Sequence, residues 1–280
     1  MAISRSSITY LDGDGGTVAT GSASTNRLIT FLFFWEGNDD TVATVTIGAK
    51  TCTFRLAAQH TGLTRCELWD IDEVTLDGIS GNQTVAVTGL TDPADWAIAV
   101  MVFIDAPSPT LYDSGSGVAD DVTAVSVTGI DSLADYLIIM GDMTSWDGVD
   151  PSTVTSPLGD LAETLSPGNP YSGDAATAYG IETTTNTSKT YTLTWSDTAL
   201  RHAAIVAVYA VITRTLAAAR VYDDSAVALA AQNVTAEEEV TTPFRTVAGV
   251  QMVGDPPAES MEWRYRVVGD PDDAIESVDT

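Results

Sequence analysis

A chain of 280 residues with 39 acidic and 12 basic side chains carries a formal charge of −27, and a surface this acidic repels phosphate backbones, which argues against direct nucleic-acid binding. Its 44% hydrophobic content is ample for a packed core. No apolar run reaches the roughly 20 residues a membrane-spanning helix needs, which argues against membrane insertion.

Thr, Val, Ala, Gly and Asp dominate, in strand-like pieces separated by Gly/Asp/Asn/Pro clusters. That pattern reads as all-β. Lysine is scarce (Lys50 and Lys189 only), and this balance suits solubility in high salt, where self-repulsion is screened. It fits a halophilic or marine source, or an acidic protein of a GC-rich mesophile.

In chain order, residues 1–23 read as a polar, glycine-rich N-terminal arm able to add a strand to a sheet. Asp12-Gly-Asp-Gly-Gly serves there as a joint. The N-terminus lacks the apolar stretch of a secretory signal, which suggests assembly in the cytoplasm and release by lysis, or else a processed precursor.

Strands are then expected at 27–35, 41–47, 50–57, 65–71, 83–88 and 96–104. The last, Trp-Ala-Ile-Ala-Val-Met-Val-Phe-Ile, is apolar throughout and stopped by Asp105 and Pro107. It reads as a strand covered on both faces. A second series follows at 122–127, 135–141, 175–182, 190–195 and 203–212, with a long loop at 142–174.

The two series correspond. Leu28–Trp35 matches Tyr136–Met140, Cys66–Ile71 matches Ala178–Thr183, Gln83–Thr88 matches Lys189–Thr194, and Trp96–Ile104 matches Ala203–Tyr209. Four long strands in each half make eight, the number in a jelly roll. The expected fold is one two-sheet antiparallel β-sandwich over 24–213. The rival is an immunoglobulin-like sandwich, which would not need both halves. Residues 214–280 read as a linker plus a small C-terminal β segment. Within it, Leu216–Gln232 is alanine-rich enough for a helix, while Val221, Tyr222 and Val227 favour an extended chain.

Chemistry is sparse. Cys52 and Cys66 flank a turn near Gln59, and a register pairing residue i with 118 − i sets them opposite each other, as a disulfide or as two buried thiols. Asp12 and Asp14 are weak candidate ligands for Ca²⁺ or Mg²⁺, since hard cations want clustered carboxylates. The segment has no closing bidentate acid, so a glycine-rich turn is the plainer reading. No other cofactor is indicated. His60 and His202 are the only histidines, and neither sits beside a nucleophile motif. A carboxylate pair such as Asp70 and Asp72 would be the starting point for a hydrolase reading.

Trp146, in a loop beside Asp147 and Asp150, is a candidate sugar-stacking residue, or a plug for the open end of a sandwich. The other strand-associated tryptophans, Trp35, Trp69, Trp96 and Trp195, read as packing. Asn82, Asn186 and Asn233 head glycosylation-type triplets, which arise readily by chance in a Thr-rich chain.

Arg27-Leu-Ile-Thr-Phe-Leu-Phe-Phe, Val42-Ala-Thr-Val-Thr-Ile-Gly, and the closing strands ending Phe103-Ile-Asp and Val208-Tyr-Ala give a layout over about 24–213. That layout resembles the jelly-roll structural proteins of tailed viruses of bacteria and haloarchaea. The resemblance implies a non-enzymatic virion component on the particle exterior: a head decoration, a vertex spike or turret, or a tail or baseplate attachment. It would work as a homo-oligomer in contact with other capsid or tail subunits. A carbohydrate-binding module or adhesin for host surface glycans is the alternative.

Overall fold

A computed structural model describes residues 3–23, 26–36, 41–60, 64–91, 96–106, 109–145, 154–158, 164–165, 174–196, 200–210, 213–223, 244–253, 263–266 and 275–278. The first half contains β1 (Ser4–Asp12), β2 (Gly16–Ala19), β3 (Leu28–Glu36), β4 (Thr44–Ile47), β5 (Lys50–Thr51), β6 (Thr53–His60) and β7 (Thr64–Asp72). A single helical turn, α1 (Glu73–Leu76), precedes β8 (Asn82–Thr88) and β9 (Trp96–Ile104). The second half contains β10 (Thr110–Val122), β11 (Ala124–Ser132), β12 (Leu137–Ser145), β13 (Val154–Thr155), β14 (Thr164–Leu165), β15 (Asp174–Ile181), β16 (Asn186–Trp195) and β17 (Leu200–Ala210). Last come β18 (Thr213–Asp223), β19 (Phe244–Val253), β20 (Trp263–Arg266) and β21 (Ile275–Val278).

The fold is all-β and antiparallel, as expected, with the duplicated halves in equivalent places. Sheet order in the first half is β1-β9-β3-β7-β6 for one sheet and β2-β8-β4-β5 for the other. Because only Cys52 separates β5 from β6, the two are one bent strand passing between sheets. The half then has eight strands, ordered 1-8-3-6-5 facing 2-7-4-5. Strand 1 pairs with 8, 2 with 7, 3 with 6 and 4 with 5. A long hairpin with those pairings, rolled across its width, places successive pairs in alternate sheets. The second half repeats the order, β10-β17-β12-β15-β14 facing β11-β16-β13.

One expectation is corrected here. The halves do not pool eight strands into a single two-sheet sandwich. Each half closes a sandwich of its own, and the two stand back to back in four layers. Three apolar clusters fill the gaps between layers. Ile29, Phe31, Phe33, Ile98 and Val100 face the outer sheet of the first half. Ile138, Met140, Val206, Tyr191 and Leu193 fill the second sandwich. Leu28, Leu32, Phe34, Ala99, Met101, Leu137, Ile139, Ile205 and Ala207 form the seam between the two inner sheets.

Alternate residues of β9 therefore belong to two different cores. That is why Trp96–Ile104 carries no polar face: a strand covered on both sides reads as a continuous apolar run. Each large side chain fully buried there contributes roughly 1.5–3 kcal/mol.

Residues 1–23, read as an arm, supply one strand to each sheet of the first sandwich: β1 pairs with β9 and β2 with β8. The turn between them needs Gly15, which has φ +90 and whose Cβ would lie 2.2 Å from the Val85 carbonyl oxygen. The helical reading of Leu216–Gln232 gives way, over its described part, to strand β18. Its partner β19 runs from Thr213↔Val253 to Asp223↔Phe244, so cross-strand pairing overrides the alanine content. The small β segment expected within 214–280 appears as β19, paired with β18, and β20, paired with β21. No helix among the described residues is long and apolar enough to cross a membrane.

Candidate functional site

The registers fix how the halves correspond. Leu28 lies between Asp72 and Phe103, as Leu137 lies between Ile181 and Tyr209. Leu28 to Leu137 and Asp72 to Ile181 are steps of 109, and Phe103 to Tyr209 is a step of 106, inside the 106–112 residues that separate the first residues of the matched segments. Applying these steps exposes a two-fold relation across the seam. Leu32 is the counterpart of Gly141, and they face each other: a Cβ on Gly141 would lie 3.1 Å from Leu32 Cδ2 and 3.2 Å from both Cys66 Sγ and Phe34 Cε1.

Off that axis, Phe103 meets Tyr179 edge-to-face at 5.4 Å, and the counterpart pair is Tyr209 with Asp70. Residue i touching j while j′ touches i′ is the signature of an isologous interface. Here both partners lie in one chain.

A buried polar contact sits on this seam. The buried Tyr209 hydroxyl donates to Asp70 Oδ2 at 2.6 Å, and Arg55 Nε donates to the same oxygen at 2.7 Å. Burial, with Asp70 adding to it, holds the Tyr209 phenol well above its ordinary range, so it stays a donor. Burial alone would lower the Arg55 pKa; the Asp70 hydrogen bond and charge outweigh it and raise it. On the counterpart side Arg5 lies over the Tyr179 ring at 4.7 Å. At one end of the seam His60 Nε2 approaches Asp120 Oδ2 at 3.9 Å, and Arg201 Nε reaches Asp120 Oδ1 at 3.2 Å.

Each sandwich also carries an internal polar cluster. Asp142 and His202 are buried in the second one, with Nδ1 2.8 Å from Asp142 Oδ2 and Nε2 3.1 Å from the Val122 carbonyl oxygen. Both neighbours present oxygens that can accept, an arrangement that favours the doubly protonated ring. Burial alone would lower its pKa, but the Asp142 charge and hydrogen bond, with the Val122 carbonyl, raise it. Trp195 Nε1 donates to the same carboxylate oxygen at 2.8 Å, while Asp142 Oδ1 is buried with no hydrogen-bond partner.

In the first sandwich the buried Arg27 grips Glu73 through Nε and Nη2 at 2.5 and 2.8 Å. It also donates to the carbonyls of Thr20 at 3.0 Å and Ile79 at 2.6 Å, tying three loops together. Glu182, one step of 109 beyond Glu73, instead accepts from Lys189 at 2.6 Å and Tyr191 at 2.9 Å. Burial alone would raise the Glu182 pKa, but those two bonds outweigh it and lower it, and burial pushes the Tyr191 phenol up to about 12.

What this arrangement does chemically is hold elements together. His202 has both nitrogens occupied, and its register neighbour Thr144 donates its hydroxyl to the Asp174 carbonyl at 2.9 Å instead of to the ring. Asp70 is committed to Tyr209 and Arg55, and Asp72 accepts from Thr75 N–H at 2.8 Å as the cap of α1, so each carboxylate is engaged in holding the fold.

The disulfide reading of Cys52 and Cys66 is corrected. Ala58, not Cys52, pairs with Cys66, because the hairpin register pairs i with 124 − i at that point. Cys52 faces the first sandwich's own core and Cys66 the seam, on opposite sides of the inner sheet. Both are free thiols, and burial raises both, Cys52 to about 12.

Asp12 and Asp14 lie exposed in the β1–β2 turn, where Gly15 N–H donates to the Asp12 carbonyl at 2.9 Å. Among the described residues no three His, Cys, Asp or Glu side chains gather as a metal site. Trp146, Asp147 and Asp150 lie outside the described residues, as does Asn233; Asn82 is exposed at the start of β8.

The buried polar groups that organise the molecule are ones the sequence reading passed over. Their signal was present: Asp70, Asp142 and His202 each interrupt an apolar strand, and a charge in such a place needs a buried partner. Comparison with family models, with curated proteins and with solved structures finds no match.

Proposed function

We propose that the chain is a non-enzymatic structural component on the outside of a tailed virus particle, made of two jelly rolls fused in tandem. The observation that carries this reading is the strand order, 1-8-3-6 facing 2-7-4 in both halves, which is the order of a jelly roll. That architecture recurs in viral capsid proteins and lectins, so the step from fold to role is one of analogy.

Two further features support it. Among the described residues, the buried polar clusters hold strands, loops and halves together. A charge of −27 also keeps the protein off a packaged genome. Purified particles from the source virus, analysed by mass spectrometry after protease stripping, should contain the chain in many copies and lose it on stripping. Absence from intact particles overturns the reading.

A further inference from the structure

The outward positions of the two outer sheets share a pattern. In the first sandwich β4 and β8 present Thr44, Thr46, Thr84 and Thr88 outward, alternating with inward Val45, Ile47, Val85 and Val87. Thr17 pairs with Thr84 and Thr51 with Thr46, which extends the face across β2 and β5. The second sandwich repeats it. Thr190, Thr192 and Thr194 point outward along β16, with Ser126 opposite Thr192 and Thr155 opposite Thr194.

Across these ladders the outward positions of β2, β4, β8, β13 and the stretches Ala124–Val127 of β11 and Thr190–Thr194 of β16 hold Thr, Ser, Ala or Asn, and the charged residues of these sheets, Lys50, Asp131 and Lys189, lie at their margins. In a chain with 39 acidic residues, two exposed faces whose centres carry hydroxyls and no charge are the departure to be explained.

We infer that these faces are where copies of this chain meet, the outer sheet of one copy's first sandwich lying on the outer sheet of the next copy's second sandwich. The argument is one of charge. Two molecules at −27 repel over nearly any approach, and like charges across an interface cost several kcal/mol. The hydroxyl faces are where that cost is least.

They also offer attraction. Threonine brings a methyl group and a hydroxyl that both donates and accepts, so one such face complements another. The Ser126 and Thr192 hydroxyls, 2.7 Å apart, already bond in this way across two strands. Because the faces occupy equivalent outer layers of back-to-back sandwiches, stacking continues the layer order from one copy into the next. Such a head-to-tail contact builds rings or filaments. Salt near 1 M, which cuts the screening length to about 3 Å, removes the remaining repulsion and favours the contact.

This inference rests on the particle-component reading and is tested apart from it, on the purified full chain by sedimentation velocity over protein and salt concentration. The wild type should associate as salt rises. Thr84→Asp and Thr192→Asp should each weaken association by about tenfold or more. Val74→Asp, on the exposed turn α1, should leave it unchanged, and circular dichroism should show every variant folded. An equimolar mixture of Thr84→Lys and Thr192→Asp chains should associate better than either alone, because the first outer sheet of one meets the second outer sheet of the other.

A wild type that stays monomeric at every salt concentration, or face variants that associate like the wild type, overturns the inference. If the chain is found in particles while the face variants behave as wild type, the contact fails and the role stands. If the faces drive association of a chain missing from particles, the reverse holds.

Discussion

The two sandwiches share strand order and register yet solve the same three packing problems with different chemistry. Where the first buries Phe33 against Trp96, edge-to-face at 6.3 Å, the second has Asp142 against His202 at the equivalent positions. Where Glu73 holds the buried Arg27, Glu182 holds Lys189 and Tyr191. Across the seam, the ring contact of Phe103 with Tyr179 answers the hydrogen bond of Tyr209 to Asp70. The lesson is that the rolled hairpin fixes which positions must be filled and leaves open whether dispersion or charge fills them. An aromatic pair needs no partner beyond its neighbours, whereas a buried ion pair is stable only while both members remain.

The largest effect should come from breaking the second sandwich's buried pair. His202→Leu leaves Asp142 buried without its cation and should cost about 3–5 kcal/mol in denaturant unfolding. The double variant Asp142→Leu/His202→Leu, closer in character to the first half, should recover most of that loss.

Gly141→Ala puts a methyl group onto Leu32, Cys66 and Phe34 at the centre of the seam and should cost about 1–3 kcal/mol. Leu32→Val in the same chain should relieve part of it.

Titration should separate the halves as well. The His202 pKa is raised on folding, so its contribution is fully present below the unfolded value of about 6.5 and is lost as pH rises through the higher folded value. Unfolding followed between neutral and alkaline pH should show a loss of stability in the wild type that is absent from the double leucine variant.

The smallest effect is expected from Phe103→Leu, a near-conservative change at the seam's aromatic contact, at about 1 kcal/mol.

Much of this plan is legible in the amino-acid order. The continuous apolar run at Trp96–Ile104 reads as a doubly covered strand, and the repeat of 106–112 residues anticipates the equivalent places of β3 with β12, β7 with β15 and β9 with β17. What escapes is the number of strands in each half. β10, rich in Gly, Ser and Asp, falls between the two expected strand series, and β1 and β2 read as an arm, because their sequences lack a clean alternation.

They are strands because β9, β17 and β8 offer them ladders, and because small residues are required where layers close in. A Cβ on Gly117 would lie 2.5 Å from the Ser126 carbonyl oxygen, and one on Gly115 would lie 2.7 Å from Ile130 Cδ1. Without those strands each half shows four long ones and has to be pooled with the other. With them each half closes by itself.

The site was legible only as anomalies, charges placed inside apolar strands. The partners of Asp70 and Asp142 lie 139 and 60 residues away along the chain. Periodicity carries no information over such a span.

The account turns on the halves being joined face to face through their inner sheets. The most direct test is a double-mutant cycle on Tyr209→Phe and Asp70→Asn, read by equilibrium unfolding. Each single change should cost about 1–3 kcal/mol, with a coupling energy of at least about 1 kcal/mol between residues 139 positions apart. Strictly additive effects would contradict the account, since they would mean that the phenol and the carboxylate do not meet and that the seam is not where the two sandwiches are joined.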